Sequence, residues 1–267
     1  MLLLVWVIGC VVSPSPAFAD PVDDGAPEAW PRSSAGLTMP PVRAAFGPRK
    51  VVMLSAGHAS TPTNRGNTGV HGQLEEETNL QAVLDLAERL EALDRFEVVL
   101  GRRPGERISY NARIERAVQA GADVLVELHT DVRGDLFPWA RRPDGEVAYR
   151  VEGEPGFSVL FNAGAARAGD RARLAGATAR ALARAGFPPY PGCHYEGLYV
   201  AGDTPGVYID RRGLRMLRKP PMPSIIVETH NAVDYQESLR FREERTLQVF
   251  AAAMANALTD YLYPEAP

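Results

Sequence analysis

Three short apolar runs, each closing on a residue able to bind a metal or move a proton, constrain this chain more than any other feature. Val51–His58 reads VVMLSAGH, Val124–His129 reads VLVELH, and Ser224–Glu228 reads SIIVE. Runs this short and apolar suit strands buried on both faces, as in a parallel sheet covered by helices. Open α/β sheets place their ligand sites at the carboxyl ends of such strands. The three runs therefore deliver His58, His129 and Glu228 to one edge of one sheet.

Between the runs the periodicity becomes helical. Leu80, Val83, Leu84, Ala87, Leu90 and Leu93 recur at helical spacing within 75–93 and form one face to bury. Phe96–Leu100 is expected as a second strand. Residues 107–120 are expected as a helix, with Ser109 as N-cap and Gly121 as the stop. Phe157–Phe161 reads as a strand, Ala168–Ala185 as a helix ended by Gly186, and Tyr235–Leu262 as a closing amphipathic helix. Strands alternating with helices of this length predict a single α/β domain with a mainly parallel twisted sheet flanked by helices on both faces. Two stretches break the alternation. Residues 132–155 read as an insert with an Asp144-Gly145 hairpin turn. Residues 187–223, rich in Pro and Gly, read as loop, made locally basic by Arg211, Arg212, Arg215, Arg218 and Lys219.

The length of 267 residues fits one domain of catalytic size, expected over 50–263, plus a tail. Residues 1–19 read as a signal peptide. MLLLVWVIGCVV is too short to span a bilayer comfortably, and Ala17-Phe18-Ala19 has the form of a cleavage site. The protein is then exported, to the periplasm or outside the cell, with no transmembrane helix in the mature chain. Val7–Cys10 also resembles a lipobox, so lipid anchoring at Cys10 is the alternative. Loss of Cys10 leaves Cys193 as the remaining cysteine; adjacent residues on an extended segment point to opposite sides, which disfavours a Cys193–His194 nucleophile pair. Residues 20–49 read as a Pro/Ala-rich linker or arm. The net charge of −4 carries no basic excess, so nucleic acid is not an expected partner.

A hydrolytic zinc site needs about three protein ligands and an open position. It also needs a carboxylate outside the metal shell to carry the water proton to the leaving group. His58, Glu75 and His129 can be the ligands and Glu228 the acid/base. Glu76 and Glu77 share the helix start with Glu75, where the dipole favours any acidic residue, so position alone does not single out Glu75. His71 and Glu75 lie four apart, as do His230 and Asp234, but neither pair has the intervening chemistry of an H-E-x-x-H helix. The residues by themselves point to a metal-dependent hydrolase.

Four segments resemble the zinc-dependent N-acetylmuramoyl-L-alanine amidases, bacterial cell-wall hydrolases of α/β fold. LSAGH at 54–58 is similar to that family's first-strand D-P-G-H-G-G. Gly69 through Leu80 resembles G-x-x-G-x-x-E-x-x-x-N-L, a register that makes Glu75 the ligand. Arg113–Ala117, then Ala122–Asp131, resemble R-x-x-x-A-N followed by A-D-x-x-x-S-I-H-A-N. Leu217 and Met222–Glu228 resemble V-L-r, then P-A-V-L-V-E, whose glutamate is catalytic. The resemblance covers most of 50–262 and implies one Zn2+ ion, a peptidoglycan substrate cut between N-acetylmuramic acid and L-alanine, and an activator protein as a further partner. The family includes members with autoinhibitory inserts, which raises the hypothesis of a lid within 132–223, to be tested first by deleting the best-exposed part of 187–205.

The chain departs from the pattern at Ala59-Ser60 in place of paired glycines, at Glu127 in place of serine, at Asp131 in place of asparagine, and at Thr229-His230-Asn231 after Glu228. Arg113, His230 and Asn231 are the candidates for substrate contact. Two alternatives use the same residues or the same fold: a zinc hydrolase of small N-acyl or N-formyl amino acids, and a non-catalytic wall-binding or regulatory protein.

Overall fold

In the computed structural model, which describes residues 36–43, 46–141, 145, 147–151 and 153–264, the apolar runs become neighbouring strands of one sheet. The expected signal peptide, Cys10 and its lipobox lie outside the described residues. In chain order the first elements are β1 (Lys50–Ala56), α1 (Glu75–Glu91), β2 (Phe96–Leu100), α2 (Tyr110–Gln119) and β3 (Val124–Asp131). A hairpin follows, β4 (Phe137–Arg141) and β5 (Val147–Arg150), then β6 (Ser158–Phe161) and α3 (Ala168–Arg184). The chain continues with β7 (Tyr199–Ala201), β8 (Val207–Asp210), α4 (Arg215–Arg218) and β9 (Ser224–Asn231), and ends in α5 (Tyr235–Arg240) and α6 (Glu244–Leu262). Among the described residues no helix is long and apolar enough to cross a membrane.

The strand order is β2-β1-β3-β9-β6-β8-β7. The β1–β2, β1–β3, β3–β9 and β6–β8 pairings are parallel, while β6–β9 and β7–β8 are antiparallel. The sheet is thus mainly parallel, as its continuous apolar strands require. Side-chain alternation divides the core in two. Val52, Leu54, Val124, Val126, Ile225 and Val227 pack with α1, α3 and α6 through Leu86, Leu174 and Val249. Met53, Leu125, Leu160 and Ile226 pack on the other face with Ile114, Ala117, Met216 and Leu217 of α2 and α4. Each such aliphatic side chain contributes roughly 1.5–3 kcal/mol on burial. Layers on both faces fix where the strand ends point.

The local signals act as expected at several boundaries. Ser109 Oγ accepts from the Ala112 amide at 3.2 Å, capping α2. Gly121 and Gly186 take φ of 65° and 97° directly after their helices. Three stretches differ from the expectation. Asp234 caps the start of α5 by accepting from the Glu237 amide at 2.9 Å, and the closing helix is broken in two at 241–243, where Arg242 and Glu243 donate to the carbonyls of Leu239 and Arg240 and Phe241 is buried. Residues 187–223, expected as loop, hold β7, β8 and α4, elements of three or four residues and too short to show periodicity among Pro and Gly. Within the arm, Leu37 is buried, Thr38 donates to the Ala185 carbonyl at 2.9 Å, and Arg43 pairs with Asp260 at 3.0 Å. Residues 36–43 therefore belong to the packed unit.

β9 carries one irregularity that shapes the site. His129 pairs with Glu228 but Asp131 pairs with Asn231, so β9 spends one more residue than β3 over this step. A bulge of this kind turns the residues beyond it to the opposite face.

Candidate active site

His58, Glu75 and His129 meet at the carboxyl edge of β1 and β3, at the wall of a cleft of about 460 Å³. His58 follows β1 in a left-handed conformation, φ 63°, with Ala59 also left-handed at φ 54°. This double turn swings the imidazole off the strand line toward the start of α1. Arg113 holds the turn from below. Its guanidinium donates to the carbonyls of Ala56 and His58 and to Ser55 Oγ, while its Nε donates to the Ile108 carbonyl.

Glu75 is the first residue of α1 and is buried between the two histidines. Its Oε2 lies 3.0 Å from His58 Nε2 and its Oε1 lies 3.0 Å from His129 Nδ1. Asn67 donates its backbone N–H and its amide to Oε2 at 3.0 and 2.8 Å, and the Thr130 N–H donates to Oε1 at 3.1 Å. Burial by itself would raise this carboxyl; the hydrogen bonds from His129 and His58 outweigh it and hold Glu75 well below the usual carboxylate range. Glu76 is committed elsewhere, gripped by Arg107 at 3.0 and 3.1 Å and by Arg65 at 3.1 Å. Three-dimensional contacts thus separate the two neighbouring acids that helix position alone left equivalent.

Each histidine has an acceptor on its far side. His58 Nδ1 lies 3.1 Å from Asn64 Oδ1, and His129 Nε2 lies 3.4 Å from Glu127 Oε2. Two imidazole nitrogens and one carboxylate form a donor set that catalytic zinc sites use, with the ion about 2.0–2.2 Å from each ligand. Here one ligand atom from each of the three residues falls within 4.8 Å of the others. The cluster could hold one metal ion, and it faces open space on the cleft side.

Glu228 stands beside His129 on the neighbouring strand, at the pairing just before the bulge. Burial, joined by the Asp131 carboxylate, pushes its carboxyl up to about 8. Its Oε2 is buried without a protein partner. Asp131 is tied down by Tyr195, whose hydroxyl donates to it, and by Arg133 at 3.2 Å. Ile226, Leu214 and Met216 supply apolar wall to the cleft, and Arg212 and Arg215 reach it from the loop before α4 and its first turn.

The three candidates for substrate contact lie away from this cleft. Arg113 is wholly buried and its donors are spent on β1 and on the carbonyl of His58, so it holds the turn that carries His58. His230, turned by the bulge, is buried and stacks on Phe241 at 4.1 Å, with Nδ1 2.8 Å from Thr229 Oγ1. Burial, then the charge of Arg133, pushes its imidazole down to about 3. Asn231 is buried and donates to the carbonyls of Arg133 and Glu154 at 3.1 and 3.2 Å, fastening the insert to β9. All three corrections have one cause: a buried polar side chain must spend its hydrogen bonds on the protein.

The segment 187–205, raised as a possible cover, packs inward instead. Tyr190, Tyr195 and Tyr199 of this segment are buried, with ring centroids 4.6–5.0 Å apart along the chain Tyr190–Tyr195–Tyr199. None of its residues lines the cleft.

Several residues of the site carried no usable signal in the sequence. Asn64 and Asn67 are ordinary loop polar residues until the fold sets them against His58 and Glu75. Gly57 and Gly66 are forced by close approach: a Cβ on Gly57 would sit 2.4 Å from the His129 ring, and one on Gly66 would sit 2.5 Å from Glu75 Oε2.

Residues 52–260 match the family described as N-acetylmuramoyl-L-alanine amidase, Amidase_3. None of the curated proteins matches the chain. Among solved structures, the N-acetylmuramyl-L-alanine amidase Ami1 from Mycobacterium smegmatis superposes with a TM-score of 0.62 at 20% identity, over 80% of this chain and 97% of that one. An N-acetylmuramoyl-L-alanine amidase from Clostridium difficile 630 gives 0.61 at 19% identity, over 82% and 100%. The amidase AmiC2 of Nostoc punctiforme gives 0.58 at 21% identity, over 80% and 97%. At such identities the likeness is one of fold.

Proposed function

Because the chain belongs to the N-acetylmuramoyl-L-alanine amidase family, we propose that it is an exported zinc hydrolase cutting the amide between N-acetylmuramic acid and the L-alanine of the peptidoglycan stem peptide. The observation that carries this reading is the convergence of His58, Glu75 and His129 on one point, with Glu228 paired beside His129.

Bound at those three residues, zinc would polarise the amide carbonyl and lower the pKa of a water to roughly 7. The rest of the chemistry belongs to the chain. Glu75, kept anionic by its donors, supplies the negative charge that draws a cation to the site. Glu228 takes the proton of the attacking water. It then passes that proton to the amide nitrogen as the carbon–nitrogen bond breaks and the L-alanine amine leaves. A carboxyl raised by burial above its ordinary range holds the proton it takes long enough to hand it on. The buried walls Ile226 and Met216 limit the water around it. Export to the periplasm or medium brings the enzyme to its polymer.

The test is a digest of purified peptidoglycan read by mass spectrometry, with and without a chelator. Free stem peptides beginning in L-alanine are expected, abolished by the chelator and restored by zinc. Glu228→Gln should still bind zinc but lose on the order of 10²-fold or more in turnover; His129→Ala should lose both. Cleavage indifferent to chelator, or full activity in Glu228→Gln, refutes the assignment. Zinc-dependent cleavage of small N-acyl amino acids beside an intact wall would move the substrate to that class.

A further inference from the structure

The carboxylate behind His129 has no part in the proton transfer assigned to Glu228. Glu127 precedes His129 by two residues on β3, so both side chains share one face of the sheet. It is 1% exposed. Oε1 accepts from Ser55 Oγ at 2.9 Å and lies 3.5 Å from Arg113 Nη1. Oε2 lies 3.4 Å from His129 Nε2, the ring nitrogen turned away from Glu75.

These contacts orient more than a packing group would. Arg113 offers donors only, so the atom facing it must be an oxygen. The other oxygen then presents His129 with an acceptor. In the structure Nδ1 makes the shorter contact, 3.0 Å to Glu75 Oε1; with a metal ion bound in place of that hydrogen, donation through Nε2 would leave the lone pair of Nδ1 to the ion. We propose that Glu127 is a positioning residue that fixes His129 as the Nε2–H tautomer and so readies Nδ1 to bind the metal. The inference rests on the metal reading given above. Asn64 faces His58 Nδ1 in the corresponding way, with a neutral amide in place of a charge. A carboxylate in that place also strengthens the ligand as a base, and partners of this kind typically account for about 10–100-fold in metal affinity.

Glu127→Gln is the discriminating variant, because it preserves shape while inverting one hydrogen bond. Arg113 keeps the amide oxygen at the Oε1 position, so the NH2 group faces His129 Nε2. A donor there requires a lone pair on Nε2 and moves the imidazole hydrogen to Nδ1. On the full chain, zinc affinity measured by competition with a chromophoric chelator is expected to fall about 10–100-fold, with the metal-free protein still unfolding cooperatively. Glu127→Ala, where a water can still accept from Nε2, is expected to lose less zinc affinity and more thermal stability.

A purely structural role gives the reverse order in zinc affinity, with Glu127→Gln near normal and Glu127→Ala worse. That order, or equal affinity in wild type and Glu127→Gln, overturns the proposal while leaving the metal reading intact. Wild-type protein that binds no zinc overturns the metal reading and this inference together.

Discussion

At the scale of single residues the site is built by close approach. His58 and Ala59 both hold left-handed backbone, which costs L-residues roughly 1–2 kcal/mol each. The turn persists because it is held from several sides: Arg113 takes the His58 carbonyl, and the Ala59 N–H donates to the Asn64 carbonyl at 2.7 Å. Gly57 lies against the His129 ring so tightly that any side chain would displace it. Gly57→Ala is therefore expected to weaken zinc binding about tenfold or more while the protein still unfolds cooperatively. Chelator competition and a thermal melt on the same sample check both halves. Normal zinc affinity in this variant would place the metal elsewhere.

At the scale of elements the bulge in β9 decides what faces the cleft. Strict alternation would put His230 on the face of Glu228; the extra residue turns it inward onto Phe241. Its folded pKa of about 3 lies below the ordinary 6.5, so the native state holds it neutral and the unfolded state binds its proton first. This contribution to stability is complete above about pH 6.5 and is lost as pH falls from there toward 3. His230→Phe should therefore keep its activity and shift acid unfolding to lower pH, followed by circular dichroism across a pH titration. An unchanged acid midpoint together with a large loss of turnover would return His230 to the reaction.

At the scale of the whole molecule, the segment 187–205 is core rather than cover. Its tyrosines fill the layer under β6 and β8, and β7 forms the edge of the sheet. Removing it would strip Phe187, Tyr190, Tyr195 and Tyr199 from the core, and a large aromatic deleted from a core costs about 3–5 kcal/mol, against a total stability of about 5–15 kcal/mol. Deletion of 187–205 is expected to abolish cooperative unfolding and lower the rate on peptidoglycan. A faster, well-folded deletion protein would reinstate a lid. The arm behaves alike on a smaller scale, since Leu37 fills a place against α3 and α6 that the segment's composition did not reveal.

The strands and helices up to β3, the buried faces of β1, β3 and β9, and the placement of His58, Glu75, His129 and Glu228 at one sheet edge were legible along the chain. Apolar periodicity reports burial directly, and the ends of buried strands are the positions a sheet presents. Resemblance was still needed to prefer Glu75 over Glu76 and Glu77. Only the tertiary structure decided what lies behind those four: Asn64 and Glu127 at the far side of the histidines, Arg113 beneath the turn, and Gly57 against a ring. It alone showed that His230 and Asn231 turn inward. These facts depend on contacts between residues far apart in the chain and on one extra residue in one strand. Neither leaves a periodic trace, because a hydrogen bond across the fold is set by where two backbones meet.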